Sequence, residues 1–345
     1  MIEKYYSGVI EQIYNRIGKE TRNIVMANYS NDFSIENLEV IRRYQSNEDN
    51  VFFAYSEFSY NTLVGAYEPF LDIICNMHRR FIGGSFDDFQ KECGVYYLHR
   101  QVLNSYYETG ECFREETVLL NEVAYEQRRM TMAIADMLKR LSEVRPLMIV
   151  INRFQMASKS SIETIKYLID NPCANIGIVL GVNAIVKGAD STVEVWDRIV
   201  ESLEDRSAIY YIGSAGPLKN NIKTTNDDEL YITMNFEQSI QEASNIMEFL
   251  DYEQARRGCR IIEHKIKFEN AWIDEKSLRR FYLVYARTSV LLGEMSKAIE
   301  LMNEYKALIP ENDSEHYFSL YYFMKGTCYM YQGKLEKAEG CAKKA

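Results

Sequence analysis

Five short runs of continuous apolar residues punctuate the first two thirds of the chain: Asn23–Ala27, Val51–Tyr55, Leu147–Ile151, Ile176–Gly181 and Ala208–Ile212. Each has the length of a strand, and none alternates with polar positions. Strands of that kind are buried on both faces, the pattern of a parallel sheet covered by helices. The segments between them have helix length. From Glu115 to Glu143, Leu119, Val123, Met130, Ile134, Met137 and Leu141 recur at helical spacings, which predicts one long helix ended by Pro146. The pattern predicts a three-layer α/β domain with a parallel sheet.

After about residue 235 the strand signals stop and the chain reads as pairs of helices. LLGEMSKAIELM and YQGKLEKAEGCA align at a 40-residue offset, with Gly293 over Gly333 and Ala298 over Ala338. Around Ala298, the positions of a tetratricopeptide repeat fall on Tyr282, Ala286, Met302, Tyr305 and Pro310. Around Ala338 they fall on Tyr322, Gly326, Tyr329, Ala342 and Ala345. Small residues at fixed points let two helices approach, and large ones fill the groove between them. An earlier pair with Ala243 and Ala255 fits less closely, and an ordinary helical bundle is the competing reading. The expected division is an α/β domain over residues 1–225 and an all-α, tetratricopeptide-like domain over 226–345. Ala345 falls partway along the second helix of the last repeat, with no capping helix, so the expectation is either a chain truncated at the C-terminus or an end that packs on something else.

Composition narrows the function. The chain has 345 residues, enough for two domains, with 47% hydrophobic and 26% charged residues. A net charge of −10 argues against non-specific nucleic-acid binding. The 26 tyrosines lack interleaved arginine or lysine, so packing and a partner groove explain them better than base stacking. No apolar run reaches the roughly 18 residues of a membrane span. The start MIEKYYSGVI has no secretory pattern, and the seven cysteines contain no CxxC pair. These features predict a cytoplasmic protein with reduced thiols and no membrane contact. The four histidines have no metal-ligand spacing, so no metal site is expected.

The first apolar run opens a strand–loop–helix pattern, the context of a phosphate-binding GxxxxGK[ST] loop. On that frame Ala27 replaces the first glycine, Asp32 the second and Phe33 the lysine, and Ser34 keeps the hydroxyl. An aspartate about 4 Å from a phosphate oxygen repels it by about 4 kcal/mol per unit charge at an intermediate dielectric. Ser34 reads as a helix-start hydroxyl rather than a nucleophile, because no GxSxG elbow surrounds it. FIGGSFDD, from Phe81, reads as a turn before a helix.

RPLMIVINRFQMASKSSIETIKYLID resembles the Walker B strand and following helix of the signal-transduction ATPases with numerous domains. It is similar, too, to the AAA-like ATPase domains of large LuxR-type regulators. Leu147–Ile151 supply the strand, Phe154 and Gln155 match, and Ser160, Ser161, Ile165 and Leu168 follow in register. VFFAYSEFSYNTLVGAYEPFLDII, NIGIVLGVNAI and IYYIGSAGPLKN resemble further framework segments, so the likeness covers roughly residues 8 to 220. The family's two Walker B acids are replaced by Asn152 and Arg153, and its arginine after the sensor strand is missing between Asn183 and Arg198. Asn152 is a poorer ligand for a hard cation, and Arg153 has the wrong sign for a base. The resemblance implies a catalytically inactive pseudo-ATPase with vestigial Walker residues, ATP binding lost and no cofactor. Its repeats would bind a protein or peptide partner in a regulatory setting, and an active homologous ATPase is a second expected partner. The alternative is a nucleotide-binding switch, or a transcriptional regulator whose DNA-binding domain lies beyond this chain.

Overall fold

The computed structural model describes residues 2–29, 38–46, 50–59, 63–112, 122–183, 186–187, 193–212, 223–224, 235–268, 273–310 and 314–345. The chain divides into two units, residues 1–110 with 128–231, and 111–127 with 232–345.

In the first unit, α1 (Ile2–Arg16) precedes β1 (Ile24–Tyr29), and α2 (Glu39–Ser46) precedes β2 (Phe52–Glu57). Three helices follow, α3 (Phe70–Met77), α4 (Phe86–Glu92) and α5 (Tyr97–Thr109), with a π-helical turn His78–Ile82 after α3. Then come α6 (Val123–Val144), β3 (Leu147–Asn152), a 3₁₀ turn Phe154–Met156, α7 (Lys159–Asp170) and β4 (Ile176–Asn183). A short β5 (Val186–Lys187), α8 (Val193–Glu204), β6 (Ile209–Ile212) and a short β7 (Lys223–Thr224) complete it. The main sheet has the order β2-β3-β4-β1-β6 and is parallel throughout, and β5 pairs with β7 in a separate parallel ladder. β3 and β4 are buried along their whole length, as the centre of a doubly covered sheet requires. Tyr6, Ile10, Ile13 and Ile17 of α1 form one side of the core with Val25, Met148, Val150 and Val179.

All five predicted strands are present, but β1, β2 and β4 each run two residues past the apolar stretch that marks them. Asn28 and Tyr29 still pair with Val182 and Asn183, and Ser56 and Glu57 with Ile151 and Asn152. Backbone pairing needs no apolar side chain, so polar residues complete the ladders and collect at the C-terminal ends of the strands. The long predicted helix begins at Val123 within the described residues and ends at Val144; residues 113–121 lie outside them. At FIGGSFDD, Gly83 and Gly84 take φ of +68° and +72°, and Ser85 then caps α4 by accepting from the Asp88 amide at 3.2 Å.

The second unit contains three helical hairpins: α9 (Phe236–Glu248) with α10 (Tyr252–Phe268), α11 (Glu275–Leu291) with α12 (Met295–Ala307), and α13 (Ser314–Tyr331) with α14 (Leu335–Ala342). Their turns repeat bond for bond. Gly293 donates to Val290 O (3.0 Å) and Glu294 to Ser289 O (2.8 Å), while Gly333 donates to Met330 O (3.0 Å) and Lys334 to Tyr329 O (2.9 Å). In the first hairpin Leu250 donates to Met247 O (2.9 Å) and Asp251 to Ile246 O (3.2 Å). The pivots have φ of +68° at Leu250, +79° at Gly293 and +71° at Gly333. Leu250 is therefore the counterpart of the two glycines, holding a left-handed conformation that disfavours a side chain while burying that side chain to 1% exposure. From this anchor, Ala243, Ala286 and Gly326 occupy one equivalent position, and Ala255, Ala298 and Ala338 another. A Cβ on Gly326 would come within 3.1 Å of the Cys341 Cβ, which shows how closely α13 and α14 approach.

Gly293→Ala should destabilise the chain by about 1–2 kcal/mol, because L-residues disfavour this conformation. No atom lies within 4 Å of the added Cβ, so the cost is one of backbone alone. Urea unfolding checks it, and the same loss is expected for Gly333→Ala, whose surroundings are equally open.

Candidate functional site

The strand order defines a crevice. After β1 the chain passes β4 and β3 to reach the edge strand β2, whereas after β4 it passes β1 to reach β6. Adjacent strands therefore send their connections in opposite directions, and open α/β sheets bind ligands outside the C-terminal ends of such a pair. Ala27, Asn152 and Arg153 lie on β1, at the end of β3 and just after it. Asp32, Phe33 and Ser34 lie outside the described residues. Ala27 is fully buried and pairs with Gly181 and Tyr210, so it sits within a strand. β1 continues two residues past Ala27, the position of the frame's first glycine, held through Tyr29 by ladders on both sides.

Side chains on the face that α1 covers tie the C-terminal ends of β1 and β3 together. Tyr29 is fully buried and reaches past β4 to β3, where its Oη donates to Asn152 Oδ1 at 2.5 Å. Gly181 of β4 makes room: a Cβ there would overlap the Tyr6 hydroxyl and lie 2.9 Å from Asn152 Oδ1. Tyr6 of α1 meets Tyr29 edge-on at 6.3 Å between ring centroids. Burial, then the neighbouring Tyr29, Tyr55 and Glu57, hold the Tyr6 phenol protonated well above the ordinary range. Asn152 Nδ2 donates to Glu57 Oε1 at 3.2 Å, and Arg153 pairs with that same oxygen at 2.9 Å. Tyr55 Oη donates to Glu57 Oε2. Arg153 further donates to Phe58 O at 3.3 Å, and its backbone is left-handed at φ 53°, ψ 40°.

The chemistry of this arrangement is that of a lock. Glu57 is bonded to Asn152, and Tyr55 and Arg153 use its oxygens as well. Asn152 spends both ends of its amide, one on Tyr29 and one on Glu57. Among the described residues, no group of three or more His, Cys, Asp or Glu is placed to hold a metal ion. Gln155 is 5% exposed; its Oε1 accepts from the Asn183 amide at 3.3 Å, and its Nε2 has no hydrogen-bond partner among the described residues.

Ser160 and Ser161 serve as connectors. Tyr67 N donates to Ser160 Oγ (3.0 Å) and Ser161 Oγ to Glu68 O (2.8 Å), while Ser158 caps α7. The GAYEPF and SKSS stretches, two of the segments that carry the resemblance, are thus bonded to each other. Burial raises the Glu68 carboxyl above its ordinary range, although Gly65 N–H donates to it at 2.9 Å. Motif reasoning does not mark Tyr29, Tyr55, Glu57 or Gly181; the one signal is an acid, Glu57, at the end of a mainly apolar and aromatic strand.

Other candidates are accounted for by packing. His78 is buried against Phe86, Phe89 and Tyr107, with Nδ1 3.1 Å from Tyr107 Oη, and burial lowers its pKa. The seven cysteines are free thiols. A cavity of about 170 Å³ at the N-terminal ends of β1 and β6 is lined by Arg16, Arg22 and Arg206 over Ile24, Leu168 and Leu203. Arg206 donates to Ile169 O at 2.6 Å and Arg16 pairs with Glu20 at 3.6 Å. Arg16 and Arg206 complement the negative C-terminal ends of α1 and α7. No described helix is long and apolar enough to cross a membrane. No family model matches the chain, and no curated protein matches it.

Proposed function

We propose that this chain is a pseudo-ATPase. Its α/β domain is of the P-loop type without ATP turnover, and its tetratricopeptide-like hairpins bind a protein partner. One observation carries the reading: Asn152, at the position of the metal-binding acid, is committed to Tyr29 and Glu57, and Arg153 beside it is ion-paired with Glu57. A nucleotide with its magnesium would need acceptors free at the end of β3, and it would meet a guanidinium and a buried phenol ring instead. The strand order is in keeping with the same reading, because the network ties up the C-terminal strand ends that border the ligand-binding place of an open α/β sheet. The domain then acts as a scaffold, or as the inert partner of an active ATPase.

A second reading has one observation in its favour. The buried Gln155 Nε2 is a donor without a partner, as a ligand held by uncharged contacts would require. Calorimetric titration of the purified chain with ATP and ADP, with and without magnesium, separates the two. No binding at millimolar nucleotide is expected. Micromolar binding would overturn the pseudo-ATPase and establish a nucleotide-controlled switch.

A further inference from the structure

The cavity of about 170 Å³ lies at the N-terminal ends of β1 and β6, the edge of the sheet away from Asn152 and Glu57. Its wall is apolar where the helices end: Leu168 and Ile169 of α7 and Leu203 of α8 line it and are themselves buried. The charged residues that line it are Arg16, Arg22, Arg206 and Glu20, three cations against one acid in a chain of net charge −10.

Helix ends account for two of these arginines and not for the third. Arg206 gives one N–H to Ile169 O at 2.6 Å, and Arg16 faces Glu20 at 3.6 Å, too far for a hydrogen bond. A guanidinium carries five N–H donors, so both keep most of theirs unspent. Arg22 lies on the connection between α1 and β1, at the end of no helix, and makes no hydrogen bond or ion pair among the described residues. Ser207 adds a second kind of observation. It follows α8 with φ +51°, where its N–H donates to Glu204 O at 2.9 Å and the Ala208 N–H to Leu203 O at 2.8 Å. Glycine would close the helix in this way at lower cost. A serine instead holds the costlier conformation on the cavity wall, where its hydroxyl is a further donor.

We propose that this cavity binds a small organic anion, with an apolar body against Leu168, Ile169 and Leu203. A carboxylate or phosphate head is held by Arg22 together with the free donors of Arg16 and Arg206. The guanidinium fork matches either head group. The volume falls short of the roughly 300 Å³ and more of sites for drug-sized ligands, so the body is a short chain or a single ring. The site is separate from the strand ends on which the pseudo-ATPase reading rests, and it stands or falls without that reading.

The test is calorimetric titration of the full chain with hexyl phosphate, hexanoate and inorganic phosphate. Saturable one-to-one binding of hexyl phosphate or hexanoate is expected, and the tighter of the two identifies the head group. Inorganic phosphate should bind at least about tenfold more weakly than hexyl phosphate, because it leaves the apolar wall uncovered. Arg22→Glu should weaken the alkyl anion by at least about tenfold. Arg22 is exposed, so an unchanged thermal midpoint in this variant separates a lost site from a lost fold. Ser207→Gly should raise the midpoint yet weaken binding, a combination that a purely structural serine would not give. Absence of saturable binding by both alkyl anions at millimolar concentration overturns the proposal, as does binding that Arg22→Glu leaves unaltered.

Discussion

Asn152→Asp is expected to destabilise the chain by about 2–4 kcal/mol at pH 7, and to leave the ATP titration flat. The substitution restores the acid that a metal-binding strand end would carry, so a vestigial site that had merely lost one group should gain from it. Here it meets Glu57. The Nδ2 donor to Glu57 Oε1 disappears, and two carboxylates stand where an amide and a carboxylate stood 3.2 Å apart. Repulsion at that range is about 5 kcal/mol at an effective dielectric near 20, and Arg153, already bonded to Glu57, offsets part of it. Proton linkage gives the sign of the pH dependence. The new carboxyl titrates higher in the folded chain than in the unfolded one, so the penalty is full at neutral pH and shrinks as pH falls toward about 4. Urea midpoints at pH 7 and pH 5 measure both the size and the trend. A neutral or stabilising effect accompanied by magnesium-dependent ATP binding would mean that the position still works as a metal site.

How much of this was legible in the sequence depends on what each residue reports. The strands were visible because a doubly covered parallel sheet needs apolar residues on both faces, and Leu147–Asn152 and Ile176–Asn183 are buried throughout. Their C-terminal ends were not, since Asn28 and Glu57 look like turn residues although they remain paired. Asn152 and Arg153 stood out only as departures from a family pattern. Their partners Tyr29 and Glu57 are 123 and 95 residues distant along the chain, and nothing local marks them. Gly181 reads as an ordinary small residue in a strand, and only the neighbouring Tyr6 hydroxyl and Asn152 reveal that a side chain there has no space. In the helical unit, a glycine at each of two turns revealed two hairpins. The first hairpin matched poorly because Leu250 holds the glycine conformation by virtue of its burial, a tertiary effect that no propensity records.

Tyr29→Ala is expected to have the largest effect, about 3–5 kcal/mol, because it removes a fully buried ring from the core between α1 and the sheet. Tyr29→Phe keeps the ring and removes the hydroxyl, leaving Asn152 Oδ1 without its donor at a cost of about 1–2 kcal/mol. The gap between the two variants isolates packing from hydrogen bonding, and a cycle with Asn152→Ala measures the coupling directly. If the phenol holds Asn152 in place, Tyr29→Phe and Asn152→Ala should be strongly non-additive in urea unfolding. Additive effects would mean that Asn152 is oriented by Glu57 alone and that Tyr29 only fills space. The distinction bears on function. A ring that is both packed and bonded across Gly181 uses the Asn152 acceptor that a ligand at the strand ends would need. Removing it should loosen the fold without creating a nucleotide site, because Asn152 and Arg153 still face Glu57 and restore neither a metal ligand nor a base.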